Sequence, residues 1–417
     1  MPDAEAGAAA PHQNSEDHGP DARVDALITP EEIEKERARV GYTVGYTYQW
    51  NVEATLDSIR HFAHGCGDDN PLWCDPEYAT SARWGGVVAS PLFSMTMGDD
   101  HSPKMPPDVK RKTRGALSGV HLFHAGTEIE WGGHIRPGDQ LGFVGIVSDV
   151  DVKEQSEFAG KSVITHHELE WTNQHDQAVV WQHEWYVRTE RRAAAKTGKY
   201  DSYEEARYSD DDLARIDEAY ARERTRGAEP RHWEDVEVGE PIDGLVKGPL
   251  TVTDIIAMHM GWGWGGYGFG PFRLAYQHRQ KMPKFWTRDA RGGWDVVQRL
   301  HWEEDWAKEV GAPFRYDYGF MRTAWMIQAV TDWMGDDAFL WRFWNRLDRF
   351  NFIGDTTWLQ GEVTARRVED GHHVVDVALR CVDQRGEQTA HGDATAVLPS
   401  RAHGPATIPE LTRARQH

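Results

Sequence analysis

The sequence predicts an α+β fold assembled from two copies of one unit, and two matched segments carry that reading. RPGDQLGFVGIV (Arg136 to Val147) parallels FIGDTTWLQGEV (Phe352 to Val363): both keep Gly-Asp and a second Gly seven residues after the first. The hairpins that follow agree in register, ELEWTNQHDQAVVW against ALRCVDQRGEQTAH, with Leu169 opposite Leu379, Asn173 opposite Asp383 and Gln174 opposite Gln384. Two matches in the same order favour duplication over chance. With 417 residues the chain is long enough for two domains. The expected division is a flexible tail over 1–40, a first domain over 41–190, a charged helical linker over 191–231, a second domain over 232–400 and a tail over 401–417.

Within the first copy a strand-like YTYQW leads to a helix with Leu56, Ile59, Phe62 and Ala63 at helical spacing. RWGGVVASPLFSMTMG follows as a glycine turn feeding an apolar stretch about as long as a buried central helix. From Gly119 to Glu190 the signal changes to strands. THHELEWTNQHDQAVVWQHEWYVR alternates about a turn at Asn173 to Asp176, as a half-buried antiparallel hairpin should. The linker reads as an exposed charged helix, and LTVTDIIAMHM reopens the pattern with Thr253 or Asp254 placed to cap a helix.

The bulk composition narrows the function. A formal net charge of −21 repels polyanions, so nucleic acid is not an expected partner. An anionic thioester would need a local basic island. Lys110 to Arg114 is one, and the span holding Arg273, Arg279, Lys281 and Lys284 is another, although such runs are more often solvated surface. Three cysteines, Cys66, Cys74 and Cys381, make no disulfide framework and point to a reducing cytosol. No basic start followed by an apolar run opens the first 40 residues, and no 18-residue apolar stretch occurs, so neither a secretory signal nor a membrane span is expected. The expectation is a soluble cytoplasmic protein without cofactor or metal.

Aligning the opening loops of the two copies sets PLWCDPEYA beside RLHWEEDWA, with Trp73 opposite His301 and equal spacing to Ala79 and Ala307. Here the residues resemble a known family. GDDNPLW followed by Ala79 is similar to the Gly-Asp-x-Asn-Pro-(Leu/Ile)-His loop of the MaoC-like dehydratases, relatives of the R-specific enoyl-CoA hydratases, in duplicated form with an N-terminal FAS1-like dehydratase domain. RWGGVVASP and HAGTEIEWGGHIRPGD resemble that family's helix-start turn and first long strands. The resemblance covers about residues 43 to 400. It implies two hot-dog domains, each a bent antiparallel sheet wrapped around a central helix, forming an intrachain pseudo-dimer. The second central helix would lie around Arg322 to Trp333, and an acyl-CoA tunnel between the units.

Hydration of an enoyl thioester needs a base for the water and an acid for the alpha carbon, roles that a carboxylate and an imidazole sharing one water divide between them. The resemblance makes His301 the catalytic histidine and Gly319 the helix-start glycine whose N–H polarises the thioester carbonyl. The family's aspartate position holds Val296, so Asp295, or the inserted His278 or Arg279, is the candidate partner. Asp68 matches the aspartate in the other copy, either as part of a site or as a structural relic, with Trp73 filling a dead pocket. Asn70, Trp73, Trp264, Arg279, Tyr318 and Arg322 are the substrate-binding candidates. The glycine-aromatic run from Gly261 to Phe272 reads as a surface loop or as a lid over a ring-bearing acyl group.

His121 and His124, like His166 and His167 on opposite strand faces, read as ordinary polar-face histidines rather than metal ligands. Cys66 reads as a small buried thiol. No Gly-x-Ser-x-Gly elbow, P-loop or paired Cys-x-x-Cys motif occurs. The resulting expectation is a lyase that hydrates a 2-enoyl-CoA or dehydrates a 3-hydroxyacyl-CoA with a bulky or aromatic acyl group. It would act as a homo-oligomer or beside another hot-dog subunit. The rivals are a hot-dog thioesterase and a catalytically silent acyl-CoA-binding subunit.

Overall fold

The computed structural model describes residues 26–45, 49–156, 160–190, 203–242, 244–263, 270–310 and 312–413. The first unit contributes β1 (Asp99–Asp100), β2 (His121–Trp131), β3 (Leu141–Ser156), β4 (Gly160–Asn173) and β5 (Ala178–Thr189). The second unit contributes β6 (Pro241–Ile242), β7 (Val246–Lys247), a small hairpin of β8 (Trp286–Arg288) and β9 (Trp294–Val296), then β10 (Phe339–Leu347), β11 (Thr357–Glu369), β12 (His372–Asp383) and β13 (Gln388–Val397). Apart from the β8–β9 hairpin these strands form one sheet in the order β1-β3-β4-β5-β2-β10-β13-β12-β11-β6, with β7 also on β11. Each unit repeats the same path, and β2 meets β10 antiparallel at the centre, from Gly126 opposite Arg346 to Glu130 opposite Arg342. Two hot-dog units thus form a pseudo-dimer within one chain.

The seam is tightly fitted. Asn345 Oδ1 accepts from the Thr127 N–H at 3.2 Å, its amide donates to Thr323 Oγ1 at 3.0 Å, and Trp341 Nε1 donates to Glu130 at 3.1 Å. A methyl group on Gly126 would overlap both the Trp185 ring and the Asn345 carbonyl.

The sequence repeat has a physical origin. In the first unit the Gly138-Asp139 turn is tied to the β4–β5 hairpin tip, where Gln174 donates to Asp139 Oδ1 at 3.0 Å and accepts from the Gln140 N–H at 3.2 Å. In the second, Gln384 donates to Asp355 Oδ1 at 2.8 Å and accepts from the Thr356 N–H at 2.8 Å. Each aspartate also receives a backbone N–H, from Arg136 or Phe352. The conserved pattern is a clasp between two turns, made twice.

The units differ in the middle. The second has its central helix at Gly319–Met334, with every residue from Phe320 to Met334 buried. The long central helix expected in the first unit is absent: only one 3₁₀ turn forms, Phe93–Thr96. Thr96 Oγ1 bonds back to the Phe93 carbonyl at 2.9 Å, Asn51 takes Thr96 into a bridge-like contact, and Gly98 turns out at φ +134° into β1 on the edge of β3. Side-chain hydroxyls and a sheet edge therefore take the backbone that a helix would have used. The inner face of the first sheet is left without its helix.

Several sequence expectations need correction. The supposed N-terminal tail contains a helix, Pro30–Arg37, whose Glu36 is buried against Arg39 and Thr165; residues 1–25 lie outside the described residues. The helix of LTVTDIIAMHM is capped by Thr251, with Asp254 closing the capping box, rather than by Thr253. Of the expected 401–417 tail, the described part docks too, Thr412 donating to Glu130 at 2.9 Å, while 414–417 lie outside the described residues. Of the linker, Asp210–Tyr220 is a helix held by a Ser209–Asp212 box, while 191–202 lie outside the described residues. So do Tyr46 to Tyr48 of the expected first strand.

The first unit's loop packs on the second unit's central helix and brings two carboxylates together. Asp68, whose Oδ1 accepts from the Asn70 N–H, is pushed up to about 6, and Asp332 to about 7, by burial first. The Asp68 charge adds to the rise at Asp332. Lys247 lies beside them, donating to the Gly67 carbonyl and to Gln328.

Gly126→Ala is expected to destabilise the chain by about 1–3 kcal/mol through overpacking at the seam. Gly133→Ala, whose added methyl group meets only Val179 at 3.7 Å, should stay within about 0.5 kcal/mol; urea unfolding of both variants checks this. Because the folded Asp332 stays protonated up to about 7 whereas its unfolded form ionises near 3.8, it contributes stability that is complete below pH 3.8 and lost as pH rises toward 7. Asp332→Asn removes that loss, so its urea midpoint relative to wild type should be higher at pH 8 than at pH 4; an unchanged difference refutes the shift.

Candidate active site

His301 ends a 3₁₀ turn, Val297–His301, that follows the β8–β9 hairpin. Buried Arg299 anchors this turn: it pairs with Glu303 at 2.8 Å, donates to the Arg288 carbonyl at 3.0 Å and lies over the Trp306 ring at 4.2 Å. The turn hands the imidazole inward. His301 Nδ1 lies 2.8 Å from the Tyr316 carbonyl, and its ring rests on Tyr318 with centroids 3.7 Å apart. A carbonyl only accepts, so the proton sits on Nδ1 and Nε2 keeps its lone pair. Burial drives the ring down to about 4, against the opposite pull of the Tyr316 and Asp317 carbonyls. His301 is therefore a neutral imidazole at pH 7.

Tyr318 is also the residue before the central helix, whose N-terminus no side chain caps. Gly319 opens that helix where a methyl group would strike Leu347 and stand 3.4 Å from His124 Nδ1. The lack of a side chain lets both units close on the helix start. Just before it, Asp317 is fully buried and bidentate with Arg322, Nε to Oδ2 at 2.8 Å and Nη2 to Oδ1 at 3.1 Å. Burial lifts Asp317 to about 6 while Arg322 and Asn351 pull it down. The remaining Arg322 nitrogen, Nη1, donates to the Arg349 and Thr389 carbonyls. Arg322 lines the cavity with each of its three guanidinium nitrogens hydrogen-bonded, and so holds the helix start.

These groups face a cavity of about 1580 Å³ between the units. Its far wall includes the inner face of the first sheet and the short turn that stands where a helix was expected: Leu92, Met95, Met97, Phe143, Leu169 and Trp171. The missing helix is the reason for its size.

The sequence-predicted residues divide between this cavity and other places. His301, Gly319, Tyr318 and Arg322 are brought together on its wall. Asp295 is not: it lies on β9, its Oδ1 accepting from the Val296 N–H, and is not one of the lining residues. His278 is buried in the insertion, accepting from Trp286 Nε1 at 2.9 Å, and Arg279 lies over the Trp294 ring at 4.5 Å; neither lines the cavity. Asn70 and Trp73 border a separate cavity of about 40 Å³, too tight for an acyl group, and Asn70 Oδ1 caps its own short helix at Leu72. Asp68 lies with Asp332, away from the large cavity. Trp264 lies outside the described residues, as do 264–269 of the glycine-aromatic run; Trp262 lines the cavity. Cys66 is buried, its thiol pushed up by burial and by Asp68.

Sequence reasoning missed the first unit's contribution. His121, His124, Gln182, Glu184 and Tyr186 all line the same cavity. Strict alternation would not locate His124, because a bulge between His124 and Gly126 shifts the register of β2 on β5 and reaims its ring. His166 and His167 do point to opposite faces, His166 pairing with His183 and His167 with Glu184.

Comparison with known proteins agrees with this architecture. Residues 40–182 match the sequence profile of the FAS1-like, dehydratase domain region. A protein of Streptomyces avermitilis named UPF0336 protein is 27% identical over 123 residues, which is 27% of this chain and 79% of that protein. A solved MaoC-like dehydratase superposes with a TM-score of 0.58 at 15% identity, covering 87% of this chain and 99% of its own. A conserved hypothetical protein of Mycobacterium tuberculosis, described as having a double hotdog fold, gives 0.48 at 9% identity over 84% of this chain and 94% of its own. The first unit carries the FAS1-like dehydratase signature, and the whole chain has the double hot-dog fold that it shares with the MaoC-like dehydratase.

Proposed function

We propose that this chain is a hydro-lyase, adding water to a 2-enoyl-CoA or removing it from a 3-hydroxyacyl-CoA, with His301 at the reacting centre. The observation that carries the reading is a neutral, buried imidazole held beside an uncapped helix N-terminus on the wall of one large inter-unit cavity. Its Nε2 lone pair holds the water that adds to Cβ, or the hydroxyl that departs from it. The N–H groups of the helix start polarise the thioester carbonyl, a contribution on the order of 3 kcal/mol per donor in comparable oxyanion sites. A bulky acyl group fits because the first unit has no central helix to fill the space.

An anionic carrier is supported by the cavity mouth. Lys284 and Lys153 line it, and Lys284 donates to Ser118 Oγ at 3.2 Å, next to the chain that leaves Lys110, Arg111 and Lys112. Lys284, from the second basic island, thereby reaches the segment that follows the first island in the chain.

The test is turnover of short, branched and aromatic trans-2-enoyl-CoA thioesters, followed by loss of the enoyl-thioester absorbance with free thiol assayed in parallel. Wild type is expected to hydrate at least one substrate, and His301→Ala to be slower by about 10² or more. Thiol release would identify a thioesterase instead, and binding without turnover a silent subunit. Met95→Trp, which narrows the cavity, should cost an aromatic substrate about tenfold in kcat/KM while leaving a four-carbon substrate within about threefold; equal loss on both would refute the placement of the acyl group.

A further inference from the structure

The family's dyad is incomplete here, since Asp295 does not line the cavity that His301 faces. The opposite wall offers another acid-base group. His124 stands on β2 of the first unit, 3.4 Å from where a Gly319 side chain would begin, so it reaches the same helix start as His301 but from the other side. Both imidazoles line one cavity. His124 Nδ1 is the ring nitrogen turned toward that helix start, while Nε2 is buried with no hydrogen-bond partner among the described residues; with the ring proton on Nε2, Nδ1 keeps the lone pair.

Its surroundings suit a base that is charged only in passing. From β5, Glu184 is buried on the same wall, held by Gln182 Nε2 at 3.0 Å, Tyr186 OH at 3.1 Å and His167 of β4 at 3.4 Å. Tyr186 flanks the His124 ring with centroids 5.3 Å apart. The charges facing His124 are Glu184, which favours the imidazolium, and Arg322 of the central helix and His167, which oppose it. Burial outweighs these and holds the resting ring below its ordinary range, whereas Glu184 is held below its own and stays a carboxylate.

Resting on the hydro-lyase reading above, we infer that His124 replaces the missing carboxylate: it is the catalytic base at the alpha carbon, supplied across the unit boundary, with Glu184 as a buried charge on the same wall. In dehydration the Cα–H bond breaks as Nδ1 takes the proton, and the electron pair becomes the new C=C bond. The Cβ–O bond breaks, and the same proton passes to the departing oxygen, which leaves as water while His301 Nε2 orients it. The imidazole ends neutral, as it began. Hydration is the reverse path. Glu184 stabilises the imidazolium formed between the two transfers.

The experiment compares wild type, His124→Gln, His124→Ala and Glu184→Gln on the best enoyl-CoA of the panel, with folding checked by thermal unfolding. His124→Gln is expected to lower kcat by about 10² or more with KM within about threefold, the size of effect typical of a lost acid-base group. His124→Ala should regain turnover when imidazole is added, a response a packing role would not give. Glu184→Gln should lower kcat less than His124→Gln. If wild type turns over and His124→Gln keeps kcat within about threefold, or folded His124→Ala is inactive and indifferent to imidazole, the inference is overturned while the hydro-lyase reading stands. If wild type itself turns over nothing, that reading fails and this inference with it.

Discussion

The β2–β10 seam is the constraint on which the rest of the molecule depends. By continuing the first unit's sheet directly into the second, it fixes two curved surfaces face by face across one antiparallel ladder. Each surface needs apolar cover. The second has it in a helix buried along nearly its whole length, and the first does not. Between the two units lies the cavity that both of them line.

Position relative to the seam also explains the electrostatics. His301 and His124 approach the same helix start from the two units, and both lose their hydration there, so burial rather than a neighbouring charge decides that each is neutral at rest. Arg322 and Asp317, which look like substrate-binding groups when taken singly, satisfy each other and two backbone carbonyls. Their buried pair fixes the segment that carries Tyr316, Tyr318 and Gly319. All three nitrogens of the Arg322 guanidinium are engaged in this way.

Duplication left the two copies of the loop with different work. In the first, Asp68 and Asn70 close on the loop itself, with Asn70 capping the turn and Asp68 facing Asp332. Trp73 borders a cavity of only about 40 Å³. In the second copy, a long insertion precedes the histidine and folds into its own helix and hairpin, which carries Asp295 away from the cavity wall.

The sequence by itself determined the duplication, the α+β class and the β4–β5 hairpin with its clasp residues. Each of these is written in local patterns: strand alternation, turn residues at fixed offsets and a loop repeated at equal spacing. Only the tertiary structure decided that RWGGVVASPLFSMTMG stops at a single turn, because apolar length does not distinguish a buried helix from a segment drawn onto a sheet edge. It alone placed His124 and Glu184, nearly 180 and 120 residues before His301, on the same cavity, since a bulge reaims one and a strand partner fixes the other. Contacts across the seam join residues that no spacing in the chain relates. That is why the scaffold was legible beforehand and the cavity lined from both units was not.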